Sequence, residues 1–275
     1  MEAVYGNAAL VIAATSAGNG KGGLFLQKAK RYELCITEAS GATYNLRARS
    51  RAADNHHAFL MPHIYLSDLP LLYRGWAFEE RVLAPRIIHF CKEELIWECG
   101  STAWCECSSI SPDSRTSMVN LRKVLKIGAQ SMIEIWFGVL EAYTRCQLTY
   151  TSDRLVAISS IAQRFQDKSL GHYLAGIWQH NFIFGLQWRT ISWVRGPQKP
   201  SLPEMVLPIY VPSWSWASVS HAVGQADQRS RDKRYKDRAE VLDVYCLPQN
   251  PKAPYGNLIK AELTLRGYLL PAIYD

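Results

Sequence analysis

The segment RGWAFEERVLAPRIIHFCKEELIWEC, residues 74–99, predicts a helix followed directly by a β-hairpin. Apolar side chains recur at helical spacing in its first part, and Pro85 then ends the helix because proline has no amide hydrogen to donate. Two runs of strand-forming side chains, the first at 86–90, flank a short polar turn, which is typical of a hairpin. Alternation along the first strand places His89 on the same face as Ile87.

Helical periodicity continues through the middle of the chain, and strand-like segments lie on both sides of it. Helical segments are predicted at 119–147, 152–165 and 171–188. Strand-like segments are predicted at 31–37, 43–49, 212–220, 239–247 and 261–270. Residues 9–14 fit either a strand or a helix. This order predicts the α+β fold class, with a mixed sheet, a helical middle region and a β-rich C-terminal segment.

Charge and cysteine content narrow the class of protein. The chain carries a formal net charge of +7, and much of the excess lies at 228–238, where only Tyr235 could stack on a base. We therefore interpret this segment as a solvated loop rather than a nucleic-acid site. The 7 cysteines are an odd number spread along the chain, which favours free thiols in a reducing, cytoplasmic compartment. No apolar run approaches the length of a membrane span, so no membrane partner is expected.

The glycine-rich stretch SAGNGKGG, residues 16–23, superficially resembles a phosphate-binding loop. No hydroxyl side chain follows Lys21, and the glycine spacing differs from the P-loop pattern. The stretch also lacks the glycine register and the acidic partner of a dinucleotide site. We predict an ordinary loop here and no bound cofactor.

A group of ionisable residues in the helix and hairpin is the strongest candidate for chemistry. The predicted catalytic residues are Arg74, Glu79, Glu80 and His89. Glu79 or His89 would act as the general acid or base, and Arg74 would hold an anionic or carbonyl oxygen. For Glu80 the alternative is a structural ion pair with an arginine, which would lock the helix to the hairpin.

Aromatic residues are the predicted walls of a small-molecule site. The predicted ligand-contacting residues are Trp76, Trp97, His172, Tyr173, Trp214 and Trp216. Two rings spaced two residues apart in a strand can stack on a flat ligand, and packing within the core is the alternative. Gly176 would let another group approach the backbone closely, because glycine has no Cβ.

Four cysteines that are close in sequence raise the question of a metal site. Cys91, Cys99, Cys105 and Cys107 lie in one stretch with His89. Their spacing does not match the paired C-x2-C pattern of structural zinc sites, so we predict no metal. A cysteine nucleophile would need a base and an electropositive setting, and the sequence indicates neither.

Several motifs stand in the order found in one fungal family. VYGNAALVIAATSA (4–17), RGWAFEERVLAPRIIHF (74–90) with LIWEC (95–99), and PSWSWASV (212–219) resemble motifs of the heterokaryon-incompatibility (HET) domain family. The likeness extends over nearly the whole chain. Two differences stand out: Glu79 occupies the position of a family glutamine, and the strand and turn that open the family's domain are missing from this sequence.

The resemblance implies a shortened HET-like core at 1–118. Residues 119–275 would form a helical segment and a β-rich C-terminal segment packed on it, as one compact unit. The missing opening strands belong, in the family, to a core compared with TIR domains, some of which cleave NAD. An intact nucleotide-processing core is therefore not expected.

Two functions follow as expectations. The first is a HET-like scaffold reused in specialised fungal metabolism, which binds or transforms a small molecule by cofactor-free acid–base, isomerisation or cyclisation chemistry. The alternative is a heterokaryon-incompatibility or cell-death signalling module. Such a module would act through a protein partner, through homo-oligomers or through NAD-linked chemistry.

Overall fold

The computed structural model describes residues 1–26, 31–49, 56, 59, 69–110, 132–166, 170–191, 210–225 and 239–268. The predictions for 119–131 and for the basic segment 228–238 lie outside these residues. Within the described ranges, no helix combines the length and the apolar character that crossing a membrane requires.

The described residues contain both helices and strands, which confirms the predicted α+β class. The helices are α1 (Glu2–Gly6), α2 (Gly75–Leu83), α3 (Met132–Thr144), α4 (Ser159–Arg164) and α5 (Phe182–Gly185). The strands are β1 (Val11–Ala13), β2 (Arg31–Thr37), β3 (Thr43–Arg49), β4 (Arg86–Phe90), β5 (Leu95–Cys99), β6 (Ala103–Cys105), β7 (Tyr173–Leu174), β8 (Ile177–Trp178), β9 (Trp188–Thr190), β10 (Val223–Gln225), β11 (Ala239–Pro248) and β12 (Leu258–Gly267). Short 3-10 turns lie at Pro70–Tyr73, Thr151–Asp153, Val156–Ile158, Gln179–Asn181 and Trp216–Ser218.

The largest described sheet has the strand order β1-β4-β5-β6 and is mixed, because β1 runs parallel to β4 while the other pairs are antiparallel. Residues 9–14, which fit either a strand or a helix by sequence, contain the strand β1. β4 and β5 form the predicted hairpin, with His89 opposite Ile96 and Ile87 opposite Glu98. Buried positions alternate along both strands. These four side chains therefore share the covered face of the sheet.

Helix α2 packs one face against the larger of two hydrophobic cores. Its buried residues Phe78, Val82 and Leu83 join Trp136 and Tyr143 of α3 in this cluster. The cluster thus contains side chains from both sides of the predicted boundary at 118. Leu83 is the last helical residue, and Ala84 takes an extended backbone before Pro85, as a residue that precedes proline prefers.

The smaller core lies at the sheet and is separate from the larger one. Its buried residues are Phe59, Leu69, Cys91, Ile96, Ala103, Cys105 and Ile110. It therefore draws on β5, β6 and the turn between β4 and β5, and it covers the face that carries His89.

The predicted helix at 171–188 is wrong. β7 and β8 pair as a tight antiparallel hairpin, and its turn residues Ala175 and Gly176 have φ values of 50° and 97°. Two successive residues with positive φ are incompatible with a right-handed helix. The apolar spacing in this segment reflects side chains that are buried from a hairpin and from the four-residue helix α5.

The predicted strand at 212–220 is also wrong, because this segment is a compact turn. Ser215 caps the 3-10 turn Trp216–Ser218: its Oγ accepts a hydrogen bond from the Ala217 N–H at 3.0 Å and donates one to the Ala175 carbonyl at 2.6 Å. A serine side chain that bonds its own backbone two residues ahead favours a turn over a strand. The helical prediction for 119–147 is confirmed over Met132–Thr144, and that for 152–165 only over Ser159–Arg164.

Candidate functional site

Helix α2 carries two adjacent carboxylates that lie in different environments. Glu79 is fully buried, and one of its carboxylate oxygens, Oε1, accepts a hydrogen bond from the Ser160 N–H at 2.8 Å. The other oxygen, Oε2, is buried without a hydrogen-bond partner among the described residues. Burial raises the pKa of Glu79, and the hydrogen bond from Ser160 only partly opposes this shift. The carboxyl group therefore favours its neutral form more than a solvated glutamate does.

Glu80 is half-buried and faces helix α1. Its carboxylate accepts a hydrogen bond from the Tyr5 hydroxyl, and the Arg74 guanidinium is close enough to influence its charge. Burial raises the pKa of Glu80, while Tyr5 and Arg74 each act to lower it. Burial and the neighbouring carboxylate raise the pKa of Tyr5 to about 12, so the phenol keeps its proton at neutral pH. Glu80 is thus an acid–base group that stays within reach of solvent.

Trp76 and Arg74 flank Glu80 at the start of α2. Trp76 is one helical turn before Glu80, on the same side of the helix. Its ring is partly buried, and its Nε1–H donates to Asp153 at 3.1 Å. Arg74 is exposed and is the residue that precedes the helix. Tyr5, Arg74, Trp76 and Glu80 are called the Glu80 site below. It contains three of the residues that the sequence predicts.

His89 belongs to a different, buried network. Its Nε2 lies 3.1 Å from Glu98 Oε2, and its Nδ1 lies 2.9 Å from the Thr15 hydroxyl. Glu98 also receives two hydrogen bonds from Arg81, at 2.8 Å from Nε and 2.6 Å from Nη2. Because the Glu98 carboxylate can only accept, His89 carries its proton on Nε2 in the neutral ring. All four side chains are buried.

Phe59 closes this network on one side. Its ring meets the His89 ring edge to face at 4.8 Å, and the Arg81 guanidinium carbon lies 4.9 Å from its centroid. A cation over a ring face is attracted by the ring quadrupole. His89 is buried, so a ligand cannot contact it in this conformation. The hydrogen bonds of the network instead connect the end of β1, helix α2 and the β4–β5 hairpin.

Sequence reasoning missed Thr15 and Glu98 as partners of His89. A signal for Glu98 was present: in the register of the predicted hairpin, Glu98 lies on the same face as His89, two positions along from its direct partner. Thr15 carried no comparable signal, because its approach depends on the parallel pairing of β1 with β4.

The predicted aromatic wall is not assembled as one surface. Trp97 lies on β5 opposite Trp104 of β6, whereas Trp214 packs on Phe182 at 5.5 Å. Trp216 is buried and donates its Nε1–H to the Gly176 carbonyl at 2.9 Å. Among the predicted contact residues, Trp76 alone lies in the Glu80 site.

Two further predicted contact residues lie in the β7–β8 region. Tyr173 packs edge to face on Trp136 at 5.7 Å and on Trp178 at 5.1 Å. Burial raises the pKa of its hydroxyl strongly, so Tyr173 is neutral and belongs to the core. His172 is exposed at the start of the hairpin.

All 7 cysteines are free thiols. Of the four weighed as metal ligands, Cys105 and Cys107 lie together, with their sulfur atoms 3.4 Å apart. Cys99 and Cys91 are not part of this pair. Cys99 contacts the Ser101 hydroxyl at 3.2 Å, and Cys91 is buried in the smaller core, where burial raises the pKa of its thiol strongly. The pair at 105 and 107 lies beside His56 and Glu94, a grouping with atoms suited to a metal ion.

Comparison with known proteins gives no match: no protein family, no curated protein and no solved structure is similar to this chain.

Proposed function

We propose that the chain is a HET-like protein that binds and transforms an anionic or carbonyl-containing small molecule by acid–base chemistry at the Glu80 site. The observation that carries the proposal is a half-buried carboxyl of raised pKa that shares a hydrogen bond with Tyr5 beside an exposed arginine. The motifs of residues 74–99 support the HET likeness. The free cysteines fit a cytoplasmic setting.

Each member of the site has a role in this proposal. Glu80 gives or takes the proton, because a carboxyl with a raised pKa stays protonated closer to neutral pH and can still ionise. Arg74 binds the anionic or carbonyl oxygen of the ligand, for which a guanidinium offers a fork of N–H donors. The Trp76 ring provides an apolar wall. Tyr5 keeps the Glu80 carboxyl in place through their hydrogen bond.

Accessibility is the reason for preferring Glu80 to the other predicted acid–base groups. Glu79 and His89 are 0% and 1% exposed, respectively, so neither can meet a ligand without local opening. Glu80 needs no such opening.

The first test measures ligand-induced thermal shifts with benzenesulfonate, whose charge does not change with pH, against neutral benzyl alcohol and NAD. An ionised Glu80 repels the sulfonate, so we expect its binding to strengthen as the pH falls through the raised pKa of Glu80. At a concentration of 100 times Kd the stabilisation should be about 2.7 kcal/mol. Glu80→Gln should bind the sulfonate equally well at every pH, and Arg74→Gln should lose binding.

The matched control is Glu141→Gln, which removes a carboxylate of α3 that pairs at 2.7 Å with Arg145, the residue that follows the helix. It should leave both the binding and its pH dependence unchanged. If Glu80→Gln keeps the wild-type pH dependence, or if NAD alone shifts the melting temperature, Glu80 is not the group that responds to the ligand and the proposal is wrong.

A second candidate function, signalling by protein association, is favoured by the β2–β3 hairpin. Its register places Tyr32, Leu34, Ile36, Tyr44, Leu46 and Ala48 on one face. The large side chains of this face are 48% to 55% exposed. A two-stranded hairpin has little stability by itself, and a contiguous exposed apolar patch commonly marks an interaction surface. We propose that this face pairs with a second copy of the chain.

Sedimentation velocity over a range of concentrations tests the self-association. We expect the wild type to dimerise and Leu46→Glu to remain monomeric, because a carboxylate at the centre of the face would be desolvated in the dimer. Asn45→Glu adds the same charge on the opposite, polar face and should still dimerise. A wild type that stays monomeric, or a Leu46→Glu variant that dimerises equally, would contradict this function.

A further inference from the structure

Four side chains of different chemical types converge beside the smaller core. They are His56, Glu94, Cys105 and Cys107, and their nitrogen, oxygen and sulfur atoms all lie within 4.8 Å of one another. His56 Nε2 lies 2.6 Å from Glu94 Oε1 and 3.4 Å from Cys107 Sγ. Cys107 Sγ lies 3.7 Å from Glu94 Oε1.

These separations suit a single small ion. Bonds of about 2.0–2.3 Å to nitrogen, oxygen and sulfur ligands imply ligand–ligand separations of roughly 3.3–3.8 Å around a tetrahedral zinc. Three separations lie in this range: those from Cys107 Sγ to His56 Nε2, to Glu94 Oε1 and to Cys105 Sγ, the last at 3.4 Å. The shorter His56–Glu94 separation is a hydrogen bond, which an ion bound between the two groups would replace.

The fold holds three of the four ligands in place without help from His56. Glu94 closes the turn between β4 and β5, where the Cys91 N–H donates to its carbonyl at 3.1 Å. Cys105 ends β6 and pairs with Ile96 of β5. The Cys107 N–H donates to Glu94 Oε2 at 3.1 Å. The two cysteines and the carboxylate are therefore fixed by one hairpin and its flanking turn.

The backbone around the cysteines has two features expected of a thiolate site. The Ile110 N–H donates a hydrogen bond to Cys105 Sγ at 3.2 Å, and hydrogen bonds to ligand sulfur atoms tune metal sites. Ser108, directly after Cys107, has φ of 59°, a left-handed backbone that is uncommon outside glycine. This residue ends the tight turn that places the two sulfur atoms side by side.

His56 is 4% exposed. Its Nδ1 is buried without a hydrogen-bond partner among the described residues. Among the described residues, the ring's polar contacts are therefore made by Nε2, the atom that faces Glu94 and Cys107. The buried His56 ring is thus oriented with Nε2 toward Glu94 and Cys107, as a metal ligand would be.

We propose that His56, Glu94, Cys105 and Cys107 form a structural zinc site. Two thiolates and an imidazole select zinc over magnesium or calcium, which prefer oxygen ligands, and four protein ligands leave no open position for catalysis. The ion would tie His56 to the end of the central sheet, next to the buried network of His89 that Phe59 covers. This inference does not depend on the proposed function of the Glu80 site.

The test uses the full chain purified without chelator, with the zinc content measured by atomic spectroscopy and the site probed by cobalt substitution. We expect one zinc per chain, a thiolate-to-cobalt charge-transfer band and intense d–d bands of tetrahedral cobalt. Cys107→Ser removes an exposed ligand and should preserve the fold, which circular dichroism checks. Its metal affinity should fall at least about 10- to 100-fold, the loss typical when a residue that supports a ligand is changed. His56→Asn should lose the metal as well.

Two matched controls keep the test specific. Cys99→Ser changes a cysteine of the same hairpin outside the ligand set, and His172→Asn changes an exposed histidine; both should keep one zinc per chain. The proposal is overturned if the wild type shows no cobalt charge-transfer band, or if Cys107→Ser binds cobalt as tightly as the wild type and with an unchanged band. The proposal would also be overturned if the protein mass is 2 Da lower and neither Cys105 nor Cys107 reacts with an alkylating reagent. That result would show a Cys105–Cys107 disulfide instead.

Discussion

Glu98→Gln should destabilise the protein by about 3–5 kcal/mol, because it removes one partner of a buried ion pair and leaves the Arg81 charge uncompensated. Glu98 accepts two hydrogen bonds from Arg81 and faces His89 Nε2. A glutamine in its place must direct an N–H₂ group toward one of these donors. The melting temperature should fall by roughly 10 °C, given about 2–4 °C per kcal/mol for a chain of this size. Chemical denaturation and thermal melts measure the loss.

The control for this variant is Glu33→Gln on strand β2. Glu33 pairs with Arg47 at 3.1 Å, but both side chains are 73% exposed, so solvent screens the pair and its loss should change stability little. The double variant Arg81→Met with Glu98→Leu should recover part of the stability, because apolar residues can replace a buried ion pair. Recovery should be incomplete, because the buried His89 Nε2 loses its acceptor. If Glu98→Gln costs no more than Glu33→Gln, the network does not stabilise the sheet.

Gly176→Ala should be destabilising by about 2–6 kcal/mol, from two independent causes. Gly176 has φ of 97°, where a side chain costs about 1–3 kcal/mol. An added Cβ would also collide with the indole Nε1 of buried Trp216, and overpacking a core costs about 1–3 kcal/mol. The collision would disturb a carbonyl that accepts hydrogen bonds from Trp216 at 2.9 Å and from Trp136 at 3.2 Å.

Gly138→Ala is the matched control for this substitution. Gly138 lies within α3, and an added Cβ there meets no atom within 4 Å. Alanine has the higher helix propensity, so this variant should be more stable by up to about 1 kcal/mol. Urea denaturation of both variants measures the contrast. Equal effects of the two substitutions would show that Gly176 is not restricted by its backbone or by Trp216.

Part of the Glu80 site could be predicted from the sequence. The i,i+4 spacing on a helix places Trp76 and Glu80 on one side, and Arg74 immediately precedes that helix. Tyr5 could not be predicted, because it approaches Glu80 only where α1 packs on α2. Glu79 is buried and Glu80 is half-buried because different sides of α2 face the core. The sequence spacing does not show which of the two glutamates is the more buried.

The proposed zinc ligands show the limit of spacing arguments more clearly. The four cysteines between 91 and 107 do not match a zinc pattern, and only two of them converge. Their partners are a histidine about fifty residues earlier in the chain and a turn glutamate. Such a site is assembled by strand pairing and by the packing of a distant segment, so its ligands carry no local signature.

Local patterns in the sequence determined the helix at 75–83, its end before Pro85, the β4–β5 hairpin and the face on which His89 lies. These features depend on proline geometry and on side-chain alternation between neighbouring residues. Tertiary structure decided that Tyr173–Trp178 form a hairpin rather than part of a helix, because the Gly176 carbonyl accepts from two tryptophans across the core. It also decided which charges are buried together, since burial depends on elements far apart in the chain.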